Sequence, residues 1–212
     1  MPTLPSKIAI IGTGGFAKEV LCLIHDLDRL NDVACFIEPS DSWEREWKGK
    51  LIHDVPVLPL SGFDPATMQA TIAVGDSGIR ERILQSLPTE TTYATLVHPT
   101  VVRSPWVELG EGCIVCAGCI LTCDIKIGKQ SHLNLDTTIG HDCTIGDYFT
   151  TAPSVNVSGH CEFGDHVYLG TGVGVRDEVI ITDRVIVGMG GMVVKNLPEP
   201  GVYVGMPAKR RS

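Results

Sequence analysis

In the second half of the chain, large apolar residues return at every sixth position. From Leu109 the series runs through Val115, Leu121, Ile127, Leu133, Ile139, Ile145, Thr151, Val157, Phe163, Leu169, Val175, Ile181, Val187 and Val193, and only Thr151 breaks it. The next position is often glycine, as at Gly110, Gly128, Gly140, Gly146, Gly164, Gly170 and Gly188. The fifth position is small or β-branched, from Cys113, Cys119, Ile125, Ser131, Thr137 and Cys143 to Val155, Cys161, Val167, Val173, Val179 and Val185. Such a phase, held over about ninety residues, predicts a parallel β-helix in which each hexad is one side of a triangular prism. The first and fifth residues point inward, and three hexads make one coil. Glycine after the inward residue is expected to supply turn conformations that other residues resist.

The first half carries a different pattern. Residues 7–12, KIAIIG, predict a buried strand, followed by a glycine-rich turn and the helix of GFAKEVLCLIHDL. Val33–Ile37 predicts a second strand ending at Glu38, the stretch 40–54 a polar loop, and Pro56–Leu58 a short third strand. Thr71–Val74 predicts a fourth strand, Ile79–Leu87 a helix and Tyr93–Val97 a fifth strand. Strands alternating with helices imply a small parallel α/β sheet, Rossmann-like in kind. The domain boundary is placed between residues 1–98 and 99–212.

Charge narrows the function classes. Lys and Arg number 17 against 25 Asp and Glu, a net charge of −8. That balance argues against a nucleic-acid binder, and Lys209-Arg210-Arg211 predicts a solvated tail. No apolar run approaches the roughly 20 residues of a membrane span. MPTLPSK lacks the pattern of a signal peptide, so a cytoplasmic location is expected.

Four of the eight cysteines, Cys113, Cys116, Cys119 and Cys123, have the C-x2-C-x2-C-x3-C spacing of an iron–sulfur site. The hexad phase explains them otherwise. Cys113 and Cys119 take inward positions on successive prism sides, and Cys116 and Cys123 fall on other phases. Four sulfurs spread round a prism cannot converge, so packing is expected. Disulfides are not expected in a reducing compartment.

Seven histidines are present. His25, His53 and His98 predict surface positions. No two of His132, His141, His160 and His166 are separated by three whole hexads, so none stack at equal phase and no metal site is expected. His141 is the third residue of its hexad, points outward and is followed by Asp142. An outward imidazole beside a carboxylate is a candidate general base, with an ordinary surface histidine as the alternative.

Gly12-x-Gly14-Gly15-x-Ala17 ends the first strand and opens a helix, a context suited to phosphate. Glu38 could accept from a ribose hydroxyl. A tight turn without ligand and an NAD site are the alternatives, but the half-chain has room for only half of a dinucleotide fold. The nucleotide moiety of a substrate is therefore preferred.

Taken together, IIGTGGFAKEV, IAVGDSGIRERI, LVHPTVV, HLNLDTTIGHDCTIGDY, TAPSVNVSG and VVKNLPEPGVYVGMPAK resemble the hexapeptide-repeat acyltransferases of bacterial sugars. These include sialic acid O-acetyltransferases and N-acetyltransferases of nucleotide-linked 4-amino-sugars. The closing G-x-P-A-K is characteristic of acetyl-CoA-dependent members. The resemblance implies a left-handed β-helix, a homotrimer with sites between protomers, acetyl-CoA as co-substrate and no metal. It implies a nucleotide-linked 4-amino-4,6-dideoxy sugar as acceptor, GDP-perosamine foremost, in the synthesis of lipopolysaccharide O-antigen.

The same resemblance assigns His141 as base and Asp142 as the acidic residue after it. Asn134 falls near the acceptor sugar, and Gly14, Gly15, Phe16, Glu38 and Gly75 fall where relatives hold the sugar nucleotide. Thr150, Gly159, Thr171, Met189 and Pro207 fall along the coenzyme A track. Some relatives carry histidine where Thr150 stands, so a second-histidine contact to coenzyme A is missing here. Spacing adds that His141 and Gly159 stack on adjacent coils, and that Thr171, Met189 and Pro207 share one coil phase if the helix persists. Sugar O-acetylation, a zinc-dependent carbonic anhydrase on the same helix and a non-catalytic scaffold remain as alternatives.

Overall fold

The computed structural model describes residues 5–39, 41 and 43–211, and the chain divides into two units, Met1–Leu96 and Val97–Ser212. The first contains β1 (Lys7–Ile11), α1 (Gly15–Asp26), β2 (Val33–Glu38), α2 (Trp43–Glu46), β3 (Leu51–Ile52), β4 (Val55–Pro59), β5 (Met68–Ile72) and α3 (Ser77–Ser86). The strand order is β3-β4-β2-β1-β5. β1 lies between two parallel neighbours, β2 and β5. Ile8, Ala9, Ile10 and Ile11 are fully buried, as a parallel strand covered on both faces requires. α1 turns Ala17, Val20, Leu21, Leu23 and Ile24 inward, the stripe of an amphipathic helix.

Two expectations for this unit are corrected. The stretch expected as a polar loop holds α2 and β3, and β3 pairs antiparallel with β4. Its turn, His53-Asp54, has φ of 46° and 66°, which suits a two-residue hairpin without the usual Asn-Gly signal. Ser40 and Ser42 lie outside the described residues. The fifth strand shrinks to a bridge between Ala70 and Tyr93 and the two-residue strand Leu96–Val97.

The second unit is a left-handed parallel β-helix. One sheet stacks Val102–Arg103, Ile120–Leu121, Thr138–Ile139, Asn156–Val157, Gly174–Val175 and Met192–Val193. Each strand pairs in parallel with the one three hexads on, as Ile120 with Thr138 and Thr138 with Asn156. Two further sheets, of five and eight strands, complete the prism. The first and fifth residues of the hexads build a continuous core from Val107 to Tyr203.

Thr151, the break in the apolar series, is buried at 1% exposure. Its hydroxyl is satisfied inside: it accepts from the Asn134 N–H at 3.0 Å and shares a 2.8 Å hydrogen bond with the Thr137 hydroxyl. Phe149, a bulky fifth-position residue two places earlier, is fully buried, with its ring 5.2 Å from that of Phe163. A large fifth residue beside a small first one keeps the interior filled.

Glycine at the second hexad position has a different role from the one expected. An added Cβ at Gly128 or Gly146 would meet the next coil at 2.5 Å, so glycine there permits coil stacking. The left-handed conformation falls instead on the fourth position. Asp124, Gln130, Asp136, Asp142, Tyr148, Ser154, His160, His166, Glu178 and Arg184 adopt φ between 54° and 62°. Asp and His tolerate that region better than most residues.

The helix ends by changing register. Val187 pairs with Tyr203 rather than with a residue a full coil away, and Gly201–Val204 turns back into the antiparallel strand Lys209–Arg210. Pro207 therefore leaves the coil phase of Thr171 and Met189, because the segment 194–196 makes the last coil two residues shorter than three hexads.

Candidate functional site

His141 stands on the corner that follows strand Thr138–Ile139, with 53% of its side chain exposed. Its Nδ1 lies 2.7 Å from Asp142 Oδ2. An ionised carboxylate can only accept, so Nδ1–H donates and Nε2 keeps its lone pair outward. That tautomer is the one a base needs. Gly159 stacks one coil on, and an added Cβ would meet His141 Cε1 at 2.7 Å and Nε2 at 2.8 Å.

A third group joins them. His160 follows Asp142 by one coil, its Nε2 lies 3.8 Å from the same Oδ2, and its ring crosses that of His141 at 89° with centroids 4.9 Å apart. His141, Asp142 and His160 each offer a ligand atom within 4.8 Å of the others, so by distance they could hold a metal ion. This corrects the expectation that the histidines form no cluster. The two histidines are one position further apart than a full coil. A search for equal phase passes over them because Asp142, not His141, is the stacking partner.

The cysteines are all free thiols. Cys113, Cys119, Cys143 and Cys161 each donate to a carbonyl of the next coil, respectively Gly128, Asn134, Ser158 and Arg176, at 3.2–3.4 Å. They thus satisfy backbone acceptors as well as fill space. Burial pushes the Cys119 thiol up to about 11. The hydrogen bond shared with Cys161, together with burial, pushes Cys143 up as well.

Of the residues assigned to coenzyme A, Gly159 lies beside His141, and Thr150, Thr171, Met189 and Pro207 do not gather around it within one chain. Thr171 and Met189 are exposed on a different corner of the prism, after strands Tyr168–Leu169 and Val185–Val187, joined by a hydrogen bond from Gly190 N to Thr171 O at 2.8 Å. Asn134 opens that same corner one coil pair earlier, its side chain accepting from Leu135 N at 2.7 Å. Thr150 is buried. Pro207 is exposed and out of phase with Met189.

In the first unit, Gly14 and Gly15 are exposed at the start of α1, and a Cβ on either would meet nothing within 4 Å. Gly12, by contrast, has φ of 119° and no room beside Ala73 and Val74. Phe16 is half-buried. Glu38 ends β2 and accepts from the Thr13 hydroxyl at 2.6 Å. Gly75 is exposed, and its carbonyl accepts from Arg80 Nη1 at 3.1 Å, as Val74 O does at 2.8 Å. The fully buried Arg80 thus anchors the loop before α3. Sequence reasoning missed Thr13 and Arg80; the signal was a lone arginine on the inner face of an otherwise short helix.

Comparison with known proteins adds the following. Residues 7–87 match the family described as the PglD N-terminal domain. The chain is 31% identical over 135 residues to the GDP-perosamine N-acetyltransferase of Escherichia coli O157:H7, covering 62% of this chain and 61% of that protein. It therefore spans about three fifths of the length of that curated relative. Among solved structures, WeeI from Acinetobacter baumannii AYE is 32% identical with a TM-score of 0.87, over 97% of this chain and 99% of that one. PerB from Caulobacter crescentus, solved with CoA and GDP-perosamine, is 29% identical with a TM-score of 0.87 over 97% of each chain.

Proposed function

We propose that the chain is a hexapeptide-repeat nucleotide-sugar N-acetyltransferase that acetylates the 4-amino group of a nucleotide-linked 4-amino-4,6-dideoxy sugar, GDP-perosamine foremost. Acetyl-CoA supplies the activated acyl group. The observation that carries the reading is the 2.7 Å contact from His141 Nδ1 to Asp142, which leaves Nε2 free to take a proton.

The acceptor amine is mostly ammonium at neutral pH and attacks only in its neutral form. His141 Nε2 receives the further proton released as the amine is acylated. Asp142 keeps Nδ1 protonated and balances the imidazolium that forms. The Gly159 N–H donates to the oxygen that gains charge, a stabilisation of the oxyanion-hole type. No covalent acyl-enzyme is required, since the inward thiols Cys113, Cys119, Cys143 and Cys161 are buried and donate to carbonyls.

Thr171 and Met189 line the pantetheine arm, with Thr150 and Pro207 toward its ends. The separation of their corner from that of His141 supports a homotrimer in which each site draws on two protomers. Gly14, Gly15 and Phe16 at the start of α1, with Glu38 and Gly75, hold the sugar nucleotide, and Asn134 faces the sugar. The product would feed O-antigen synthesis in the cytoplasm.

The test is an acceptor panel. Purified protein is incubated with acetyl-CoA and GDP-, UDP- or dTDP-linked 4-amino-sugars or free sialic acid, and the products are read by mass spectrometry. Acetylation of the GDP-linked amine is expected. Acetylation of sialic acid alone would replace this reading with O-acetylation.

A further inference from the structure

We propose that His160 is a positioning residue for the catalytic base, acting through the carboxylate of Asp142; the inference rests on the reading of His141 as that base. The same oxygen, Asp142 Oδ2, lies 2.7 Å from His141 Nδ1 and 3.8 Å from His160 Nε2. One carboxylate thus stands between two imidazoles. The backbone N–H of His160 donates to the carbonyl of His141 at 2.8 Å, which fixes the second imidazole over the corner that carries the first. The two rings meet edge to face, 4.9 Å apart at 89°, so His160 also bounds the space into which the His141 ring could rotate.

The pair His141–Asp142 needs such support. Both side chains are about half exposed, at 53% and 48%, and the contact joins neighbouring residues. An exposed pair of this kind is a weak constraint, because water competes for both partners. Asp142 at φ 57° and His160 at φ 55° occupy the same corner position on successive coils, so the backbone holds the second contact in register. The residues in that column, each one coil apart, are Asp124, Asp142, His160 and Glu178. His160 is the one imidazole among three carboxylates, with Asp177 next to Glu178. It stands between Asp142 and Glu178 in that column. With its Nε2 3.8 Å from Asp142 Oδ2, it bounds that carboxylate on the side away from His141.

The experiment uses steady-state kinetics on the full chain. His160→Asn removes the ring but keeps a residue that tolerates the left-handed backbone. His160→Gln returns an amide N–H at longer reach. The expected result is a kcat about five- to tenfold lower for His160→Asn, with both KM values within about twofold, and recovery of most of that loss by His160→Gln. In an Asp142→Asn background, His160→Asn should change kcat less than about twofold, because its effect passes through the carboxylate. Wild-type kcat in His160→Asn, or an undiminished loss in the Asp142→Asn background, overturns the positioning role. His141→Asn, run alongside, separates the two readings. If it is inactive while His160→Asn is normal, only the positioning role fails; if it is active, the base assignment fails and takes this inference with it.

Discussion

The backbone of Gly159 fills the space directly beside the imidazole of His141, one coil further along the prism. A side chain at 159 would begin 2.7 Å from Cε1, 2.8 Å from Nε2 and 3.1 Å from Nδ1. Nothing can remain there without turning the ring. Gly159→Ala should therefore displace the base from Asp142 while leaving the coil intact. The expected loss in kcat is on the order of tenfold to a hundredfold, with an unchanged thermal midpoint. A kcat within about twofold of wild type would show that the ring has room that the geometry denies it.

The start of α1 separates a binding role from a folding role. Gly14 and Gly15 have open space around a would-be Cβ, whereas Gly12 at φ 119° does not. Gly14→Leu should raise KM for the sugar nucleotide and spare that for acetyl-CoA, because it covers backbone N–H groups suited to a diphosphate. Gly12→Ala should lower stability, seen as a lower urea midpoint. Equal damage to both KM values in Gly14→Leu would place the nucleotide elsewhere.

Two buried thiols, Cys35 and Cys119, give a pH dependence with a definite sign. Burial holds Cys35 and Cys119 up to about 11, above the roughly 8.5 of an unfolded thiol. The folded state thus keeps two protons that the unfolded state sheds. The stability they contribute is present below pH ~8.5 and is lost as pH rises through about 11. The urea midpoint should fall across that window. At pH 8, iodoacetamide should label the exposed Cys22 without loss of activity; inactivation by labelling of a core cysteine would revive a covalent acyl-enzyme.

Much of the β-helix was legible because its interior accepts only two residues in six, so selection for apolar side chains repeats at every coil. What escaped had specific causes. The Phe149–Thr151 exchange of volumes is invisible to a scan that scores each column separately. The β3–β4 hairpin was missed because His53-Asp54 makes the turn without glycine. His160 was missed because it stacks on Asp142 rather than on His141, one position away from equal phase. Pro207 was placed in phase because nothing in the local sequence announces that the final turn is shorter than a coil. His141 and Asp142 were legible as neighbours, but not their 2.7 Å contact, which depends on the left-handed backbone at Asp142.

The assembly is open to a direct check. His141 lies on one corner of the prism, and Thr171 and Met189 on another. A chain that must bring both to one substrate needs a neighbour. Sedimentation equilibrium should give three times the chain mass at micromolar protein. A monomer with full activity would contradict a site shared between protomers.

The general base is the central claim, and His141→Asn tests it most directly. Asparagine is of comparable size and keeps some hydrogen bonding but cannot accept the proton. Positioned bases contribute about 10²–10⁴-fold. Steady-state kcat with the sugar nucleotide at pH 7.5 should fall on the order of 10²-fold or more, while acetyl-CoA binding by calorimetry and the trimer by sedimentation remain as in the wild type. A kcat near the wild-type value would mean that bulk water or another residue takes the proton, and the role assigned to His141 would be wrong.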